Sequence, residues 1–142
     1  MEALADVNLL LALADPAHEA HGRSSEWYDG LSSGSRLWIC RHAQMGLLRV
    51  LASETVMQGK PLTLRESWAY YGQLMQDPCI FGALEPRGLQ PVWVGLSIEF
   101  GASPKVVADS YLAAFAIVGG YTLVSLDQGF RKFAGLNPVL LS

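Results

Sequence analysis

Two aspartates stand where an α/β fold would gather ligands. Asp6 follows a short apolar run at the N-terminus, and Asp127 follows the apolar run 121–126. In an open parallel sheet, ligands bind at the carboxyl ends of the strands. Because loops also favour aspartate, these two residues indicate a site only if their strands are neighbours. The sequence alone leaves that pairing open.

Asp109 is a third aspartate, and its helical context distinguishes it. Its neighbours at helical spacing are apolar: Leu112, Ala113 and Ala116. That stripe is expected to face the sheet, where a carboxylate is costly unless something pairs with it. If Asp109 meets the other two aspartates, a divalent cation relieves their repulsion, and hard oxygen ligands favour Mg²⁺ or Mn²⁺ over zinc. The alternative is a macrodipole partner in the first helical turn, although Asp109 lies deep for that role if Ser103 is the cap.

Gln44 is a polar residue on another apolar stripe, which Leu47, Leu48 and Leu51 complete. It could orient a carboxylate or a metal-bound water, or it could be satisfied by backbone groups at a strand–helix junction. A second metal-like spacing, Asp15, His18 and His21, is rejected because Asp15 is better placed to cap a helix and no further ligand is near.

The elements that must position these residues follow from apolar periodicity and from glycine and proline punctuation. Strands are predicted at 2–6, 36–40, 79–84, 121–126 and 139–141. Helices are predicted at 8–14, 15–31, 41–53, 63–76, 91–100, 103–118 and 128–134, with caps at Asp15, Thr63 and Ser103. In the helix 63–76 the expected inward stripe is Leu64, Trp68, Tyr71 and Met75. Short apolar strands alternating with amphipathic helices predict one α/β domain over residues 1–142, with a mostly parallel sheet.

Composition narrows the class of protein. The 142 residues are 51% hydrophobic and 16% charged, which excludes a disordered chain. So few charges suggest an apolar surface that a partner covers. The net charge of −3 does not indicate a non-specific nucleic-acid binder, although a local basic rim stays possible. The two cysteines show no metal-type spacing, and the sequence shows neither a signal peptide nor an apolar run of about 20 residues. We therefore expect a cytoplasmic protein without a membrane span.

Three segments together resemble the motifs of the PIN domain, and more narrowly those of the VapC ribonuclease toxins. They are residues 5–10 (ADVNLL), 108–114 (ADSYLAA) and 123–130 (LVSLDQGF). Residues 40–51 (CRHAQMGLLRVL) are similar to one subgroup of that family. The resemblance covers nearly the whole chain in order. It implies a three-layer α/β/α fold with a parallel sheet of four or five strands.

The resemblance also implies chemistry and partners. Asp6, Asp109 and Asp127 match three of the family's four acidic positions, which bind Mg²⁺ or Mn²⁺ and activate water for in-line attack on an RNA phosphodiester. Asn8 and Ser125 match positions that support those acids by hydrogen bonds. A VapB-like antitoxin is the implied partner, and a homodimer the implied assembly. Substrate preference is expected in the loops 31–34 and 82–91.

Gln44 is a departure from this pattern, because many family members carry glutamate there. Its amide offers an oxygen but no general base, so Glu85 or another acid would have to substitute. This leaves a second hypothesis, an antitoxin-binding module on the same fold with weak or no nuclease activity. A third, a different α/β enzyme such as a phosphatase or a receiver, fits poorly. Residues 6–8 lack the second acid, and Lys132 does not directly follow a predicted strand.

Overall fold

The computed structural model describes residues 1–142 and contains one five-stranded sheet in the order β3-β2-β1-β4-β5. Every neighbouring pair of strands is parallel. The strands are β1 (Glu2–Ala5), β2 (Arg36–Cys40), β3 (Ile80–Ala83), β4 (Thr122–Ser125) and β5 (Val139–Leu140). The predicted parallel sheet is therefore confirmed. In addition, β1 and β4 are neighbours, which is the condition under which their terminal aspartates can meet.

Helices cover both faces of the sheet. They are α1 (Val7–Ala14), α2 (His21–Asp29), α3 (Arg41–Leu51), α4 (Leu64–Leu74), α5 (Leu89–Ser97) and α6 (Pro104–Gly119), with 3-10 helices at Ile98–Phe100 and Gln128–Lys132. Helix α1 packs on α2 and α3, and α3 packs on α4, whereas α5 packs on α6. The chain runs outward through β2 and β3, then crosses back to β4, so right-handed crossovers put these two groups on opposite faces. The result is the predicted three-layer α/β/α arrangement. No helix is both long and apolar enough to span a membrane.

The core forms where the central strands meet α6. Strand residues 3–5, 123 and 124 are fully buried, and so is the run 112–116 of α6. Three alanines in that run let the helix approach the sheet closely, as the sequence predicts. Gly120 ends α6 in the left-handed conformation at φ 75°, which a residue without a side chain adopts without strain.

The predicted helix at 15–31 is wrong in its first part. Asp15 does not begin a helix: its backbone N–H bonds to Leu11 O and closes α1. The Asp15 carboxylate accepts a hydrogen bond from Ala17 N at 3.0 Å, which makes a tight turn of the following residues. That local turn competes successfully with a helical start, so α2 begins only at His21.

Helix α4 has the predicted start, but only half of the predicted inward stripe is covered. Thr63 and Glu66 form the reciprocal capping box. However, Leu64 and Trp68 are 63% and 54% exposed, and Ser67 is the buried residue of the helix. Tyr71 and Met75, the other two residues of the predicted stripe, are half-buried against the core. Because α4 packs mainly on α3, only a narrow face of it is covered, and that face includes the second half of the predicted stripe but not the first.

Candidate active site at the carboxyl edge of the sheet

Asp6 and Asp127 lie at the same edge of the sheet because they follow the neighbouring parallel strands β1 and β4. Asp6 ends β1 and caps α1, where its Oδ1 accepts a hydrogen bond from Val7 N at 2.7 Å. Asp127 follows β4 and caps the 3-10 helix, where its Oδ1 accepts from Gly129 N at 2.8 Å. Both carboxylates are held by backbone groups at a strand–helix junction, so their orientation is set by the fold.

Ser125 and Asn8 tie these two junctions together. The buried Ser125 hydroxyl donates to Asp6 Oδ2 at 2.7 Å and accepts from Asp127 N at 2.9 Å. Asn8 Oδ1 accepts from Leu126 N at 3.1 Å, which joins the first turn of α1 to the end of β4. Ser125 thus bonds directly to the Asp6 carboxylate, whereas Asn8 bonds to Leu126 N and to the Ser125 hydroxyl and to no carboxylate. The supporting role implied for these two residues stays a prediction.

Asp109 enters from α6, on the other face of the sheet. Its side chain is only 16% exposed, and no hydrogen-bond donor lies within reach of its carboxylate. Burial raises the pKa of Asp109; Lys105 opposes the rise and the charge of Asp127 adds to it. Burial also raises the pKa of Asp6, and the charges of Asp109 and Asp127 contribute to that rise. The three carboxylates therefore share one electrostatic environment.

Lys105 lies between two of these carboxylates. Its Nζ is 2.8 Å from Asp127 Oδ2 and 3.8 Å from Asp109 Oδ2. The hydrogen bond from Lys105 is the main reason that the pKa of Asp127 is lowered. Lys105 is one helical turn before Asp109, so the sequence carried the signal for this pair; the contact with Asp127 depends on the tertiary fold.

The donor set at this edge fits a hard divalent cation. Asp6, Asp109 and Asp127 offer carboxylate oxygens only, the ligands that Mg²⁺ and Mn²⁺ prefer, and the ammonium group of Lys105 already takes up positive charge between two of them. As the side chains stand, no three Asp, Glu, His or Cys residues are close enough to form a finished metal cage. A bound ion would therefore require movement of these side chains and release of the lysine.

Gln44 lies apart from the aspartates in the hydrogen-bond network. It is half-buried in α3, and its Oε1 accepts from Arg41 Nη1 at 2.5 Å. No hydrogen bond joins it to Asp6, Asp109 or Asp127. Its predicted role toward a carboxylate or a water stays a prediction.

Sequence reasoning gave little weight to the residues beside Gln44. Tyr111 Oη donates to Glu85 Oε1 at 2.7 Å, and the rings of His42 and Tyr111 are 6.0 Å apart. Tyr111 lies two residues after Asp109 in the segment 108–114. Glu85 lies in the loop 82–91, where substrate preference is expected. The sequence could not predict this contact, because it depends on how α6 packs against that loop in the tertiary structure.

Comparison with known proteins defines the class first. The fold matches VapBC2 from Rickettsia felis bound to a DNA fragment from its promoter, with a TM-score of 0.70, 14% identity and coverage of 99% of this chain and 97% of that one. It also matches VapC20 of Mycobacterium tuberculosis, a sarcin-ricin loop cleaving toxin, with a TM-score of 0.68, 12% identity and coverage of 96% and 100%. These likenesses define a PIN-type α/β/α domain.

The sequence comparison gives the family. Ribonuclease VapC41 of Mycobacterium tuberculosis is 38% identical to this chain over 143 residues, with 98% of each chain covered. No family model matches the chain. At that identity and coverage the chain belongs to the VapC ribonuclease family.

Proposed function

We propose that this chain is a Mg²⁺- or Mn²⁺-dependent endoribonuclease and the toxin component of a toxin–antitoxin pair. The observation that carries the proposal is the linkage of three aspartates at one edge of the sheet in a member of a ribonuclease family: Ser125 joins Asp6 to the backbone of Asp127, and Lys105 lies between Asp127 and Asp109. The chemistry of the donor set supports the metal, and the family supports the substrate class.

Each residue of the edge has a task in this proposal. Asp6, Asp109 and Asp127 would hold the cation, which when bound supplies Lewis-acid chemistry and a water of lowered pKa. Ser125 keeps the Asp6 carboxylate oriented through its 2.7 Å hydrogen bond. Lys105, once released by the aspartates, would offer a free ammonium group to a phosphate oxygen of the RNA.

The partners proposed for the chain are an antitoxin, RNA and a second copy of itself. VapBC2 supports the first, because that solved structure pairs a toxin of the same fold with its antitoxin. A VapB-like antitoxin is therefore the proposed inhibitor. We propose RNA as the substrate because the similar proteins are named ribonucleases. The proposal names no particular RNA.

Cleavage of total RNA by the purified protein tests the proposal. Discrete fragments are expected with Mg²⁺ or Mn²⁺, and none with EDTA. Asp109→Asn is expected to lower cleavage by at least about 100-fold, because it removes a charged ligand of the site. Asp29→Asn, at an exposed position in α2, is the matched control and should cleave like the wild type. Cleavage that persists in EDTA, or full activity of Asp109→Asn, would contradict the assignment.

A second candidate function is favoured by one observation. Gln44 carries an amide, which cannot act as a general base, and its oxygen accepts a hydrogen bond from Arg41. The chain could then be an antitoxin-binding module that cuts poorly. Gln44→Glu discriminates the two: a large gain of cleavage from an inactive wild type supports the module, whereas an active wild type excludes it.

A further inference from the structure

A cavity of about 410 Å³ opens beside the aspartate edge and is not part of it. It lies at the carboxyl ends of β2 and β3, between the start of α3 and the middle of α6. Its polar lining consists of Arg41, Gln44, Tyr71, Glu85 and Tyr111. None of the three aspartates lines it, so this cavity and the acidic edge are separate features of the same side of the sheet.

The cavity and the acidic edge both lie at the carboxyl side of the sheet and are connected through α6 and the start of α3. Asp109 and Tyr111 are two residues apart on α6. The ring of His42 is 6.0 Å from that of Tyr111 and lies within electrostatic reach of Asp109. A polynucleotide whose phosphate meets the aspartates would therefore bring an adjoining nucleotide to the mouth of the cavity.

The walls of the cavity carry complementary hydrogen-bonding groups. Glu85 is an acceptor, and the Tyr111 hydroxyl fixes its Oε1 at 2.7 Å. Arg41 is a donor, and its bond to Gln44 fixes one of its several N–H groups. The rings of Tyr71 and Tyr111 line the same cavity, and unpaired bases stack on aromatic rings of this kind.

We propose that this cavity binds an unpaired guanine base of the RNA, next to the phosphodiester that is cut, with Glu85 as the residue that selects it. This inference rests on the proposed function. Guanine has two adjacent donors, N1–H and the N2 amino group, which match the two oxygens of a carboxylate. Its O6 and N7 acceptors match an arginine. Uracil presents one N–H between two carbonyl oxygens, so its edge repels the Glu85 carboxylate.

A peptide side chain is the rival occupant, and the charge pattern disfavours it. A lysine or arginine of an antitoxin could pair with Glu85, but Arg41 lines the same cavity and would repel it. An acidic side chain could pair with Arg41, but Glu85 would repel it. A neutral base with donors on one edge and acceptors on another avoids both.

Binding without turnover is the first test. Fluorescein-labelled single-stranded RNA pentamers, four adenines around one guanine or one uracil, are titrated with protein in EDTA and followed by anisotropy. The guanine pentamer is expected to bind about tenfold more tightly, and Glu85→Gln to abolish that difference. Glu54→Gln, exposed in the loop after α3, is the matched control and should keep it. Equal binding of the two pentamers, or no binding of either, would overturn the proposal.

Cleavage of a random-sequence RNA library in Mn²⁺ is the second test. Sequenced ends should be enriched in guanine at one fixed position beside the cut, and Glu85→Gln should reduce that enrichment about tenfold. Suppose instead that Glu85→Gln leaves the cleavage pattern unchanged and weakens inhibition by the antitoxin. The cavity would then bind the antitoxin, and the proposal would be overturned. Guanine binding that depends on Glu85 without any cleavage would keep the cavity assignment and refute the nuclease.

Discussion

Asp109 is the residue whose position is hardest to explain by stability alone. Its carboxylate is mostly buried, accepts no hydrogen bond and has only the ammonium group of Lys105 at 3.8 Å. Asp6 and Asp127, by contrast, are each held by backbone and side-chain donors. A buried charge with so little compensation weakens the fold, and such strain is typical of functional sites.

Asp109→Asn is therefore expected to stabilise the metal-free protein by on the order of 1 kcal/mol at pH 7, even though it removes activity. Because burial raises the pKa of Asp109 above its ordinary 3.8, the folded state holds a proton more readily than the unfolded state. Stability is lost as the pH rises through the pKa of the folded state. The gain from Asp109→Asn should be complete above that pKa and should vanish as the pH falls to 3.8 and below.

Denaturant unfolding in EDTA at several pH values measures this effect. Asp29→Asn, exposed at the end of α2, is the control and should change stability by less than about 0.5 kcal/mol. A less stable Asp109→Asn protein at pH 7 would contradict the conclusion that the buried Asp109 carboxylate weakens the fold.

At the scale of elements, the close packing of α3 on α1 positions Arg41 and Gln44, which line the cavity beside the aspartates. Both helices begin at the carboxyl edge, α1 after Asp6 and α3 after Cys40. They touch where Gly46 of α3 meets Val7 of α1, and a Cβ atom at position 46 would overlap the methyl groups of Val7. Glycine is thus required here by a close approach, since its backbone is ordinary helix.

Gly46→Ala is expected to destabilise the protein by about 1 kcal/mol or more. Alanine favours a helix over glycine by about 1 kcal/mol, but forcing a methyl group against a stiff β-branched side chain typically costs about 1–3 kcal/mol. Gly72→Ala in α4 is the matched control. Nothing lies within 4 Å of its Cβ position, so it should stabilise by about 0.5–1 kcal/mol.

Thermal or denaturant unfolding of four proteins decides the point: wild type, Gly46→Ala, Gly72→Ala and Val7→Ala/Gly46→Ala. The double variant should recover part of the loss, because the methyl groups that clash have been removed. Stabilisation by Gly46→Ala alone would show that the two helices separate at little cost.

The whole molecule exposes more surface than its size requires. Its accessible surface is 7994 Å², against about 7,200 Å² for a folded monomer of this mass. Large apolar side chains contribute to it on α5, its 3-10 extension and α6: Val94 at 46%, Ile98 at 71% and Val107 at 56% exposed. Together with the low charge content, this favours a covered surface on that face of the sheet.

A homodimer through this surface predicts that Ile98→Lys raises the dimer dissociation constant at least about tenfold without loss of folding stability. Sedimentation equilibrium across a range of protein concentrations measures it. Val56→Lys, 40% exposed in the loop after α3, is the control and should leave association unchanged. A wild type that is monomeric throughout would contradict the expected dimer, and an Ile98→Lys dimer as tight as the wild type would move the interface elsewhere.

The local elements of this fold could be predicted from the sequence because their signals lie within a few residues of each other. All five strands and the capping box at Thr63 and Glu66 were confirmed. Two predictions failed. A turn closed by the Asp15 carboxylate replaced a helical start, and the first two residues of the predicted α4 stripe, Leu64 and Trp68, are exposed.

Only the tertiary structure decided how the site is assembled. The order of the strands brings β1 beside β4, and hence Asp6 beside Asp127, through pairings more than a hundred residues apart in the chain. It likewise brings Lys105 to Asp127 and Tyr111 to Glu85. Sequence determined which residues could do chemistry, since that depends on residue type and local pattern. Which of them meet depends on long-range packing and strand order, and no short stretch of the chain encodes these.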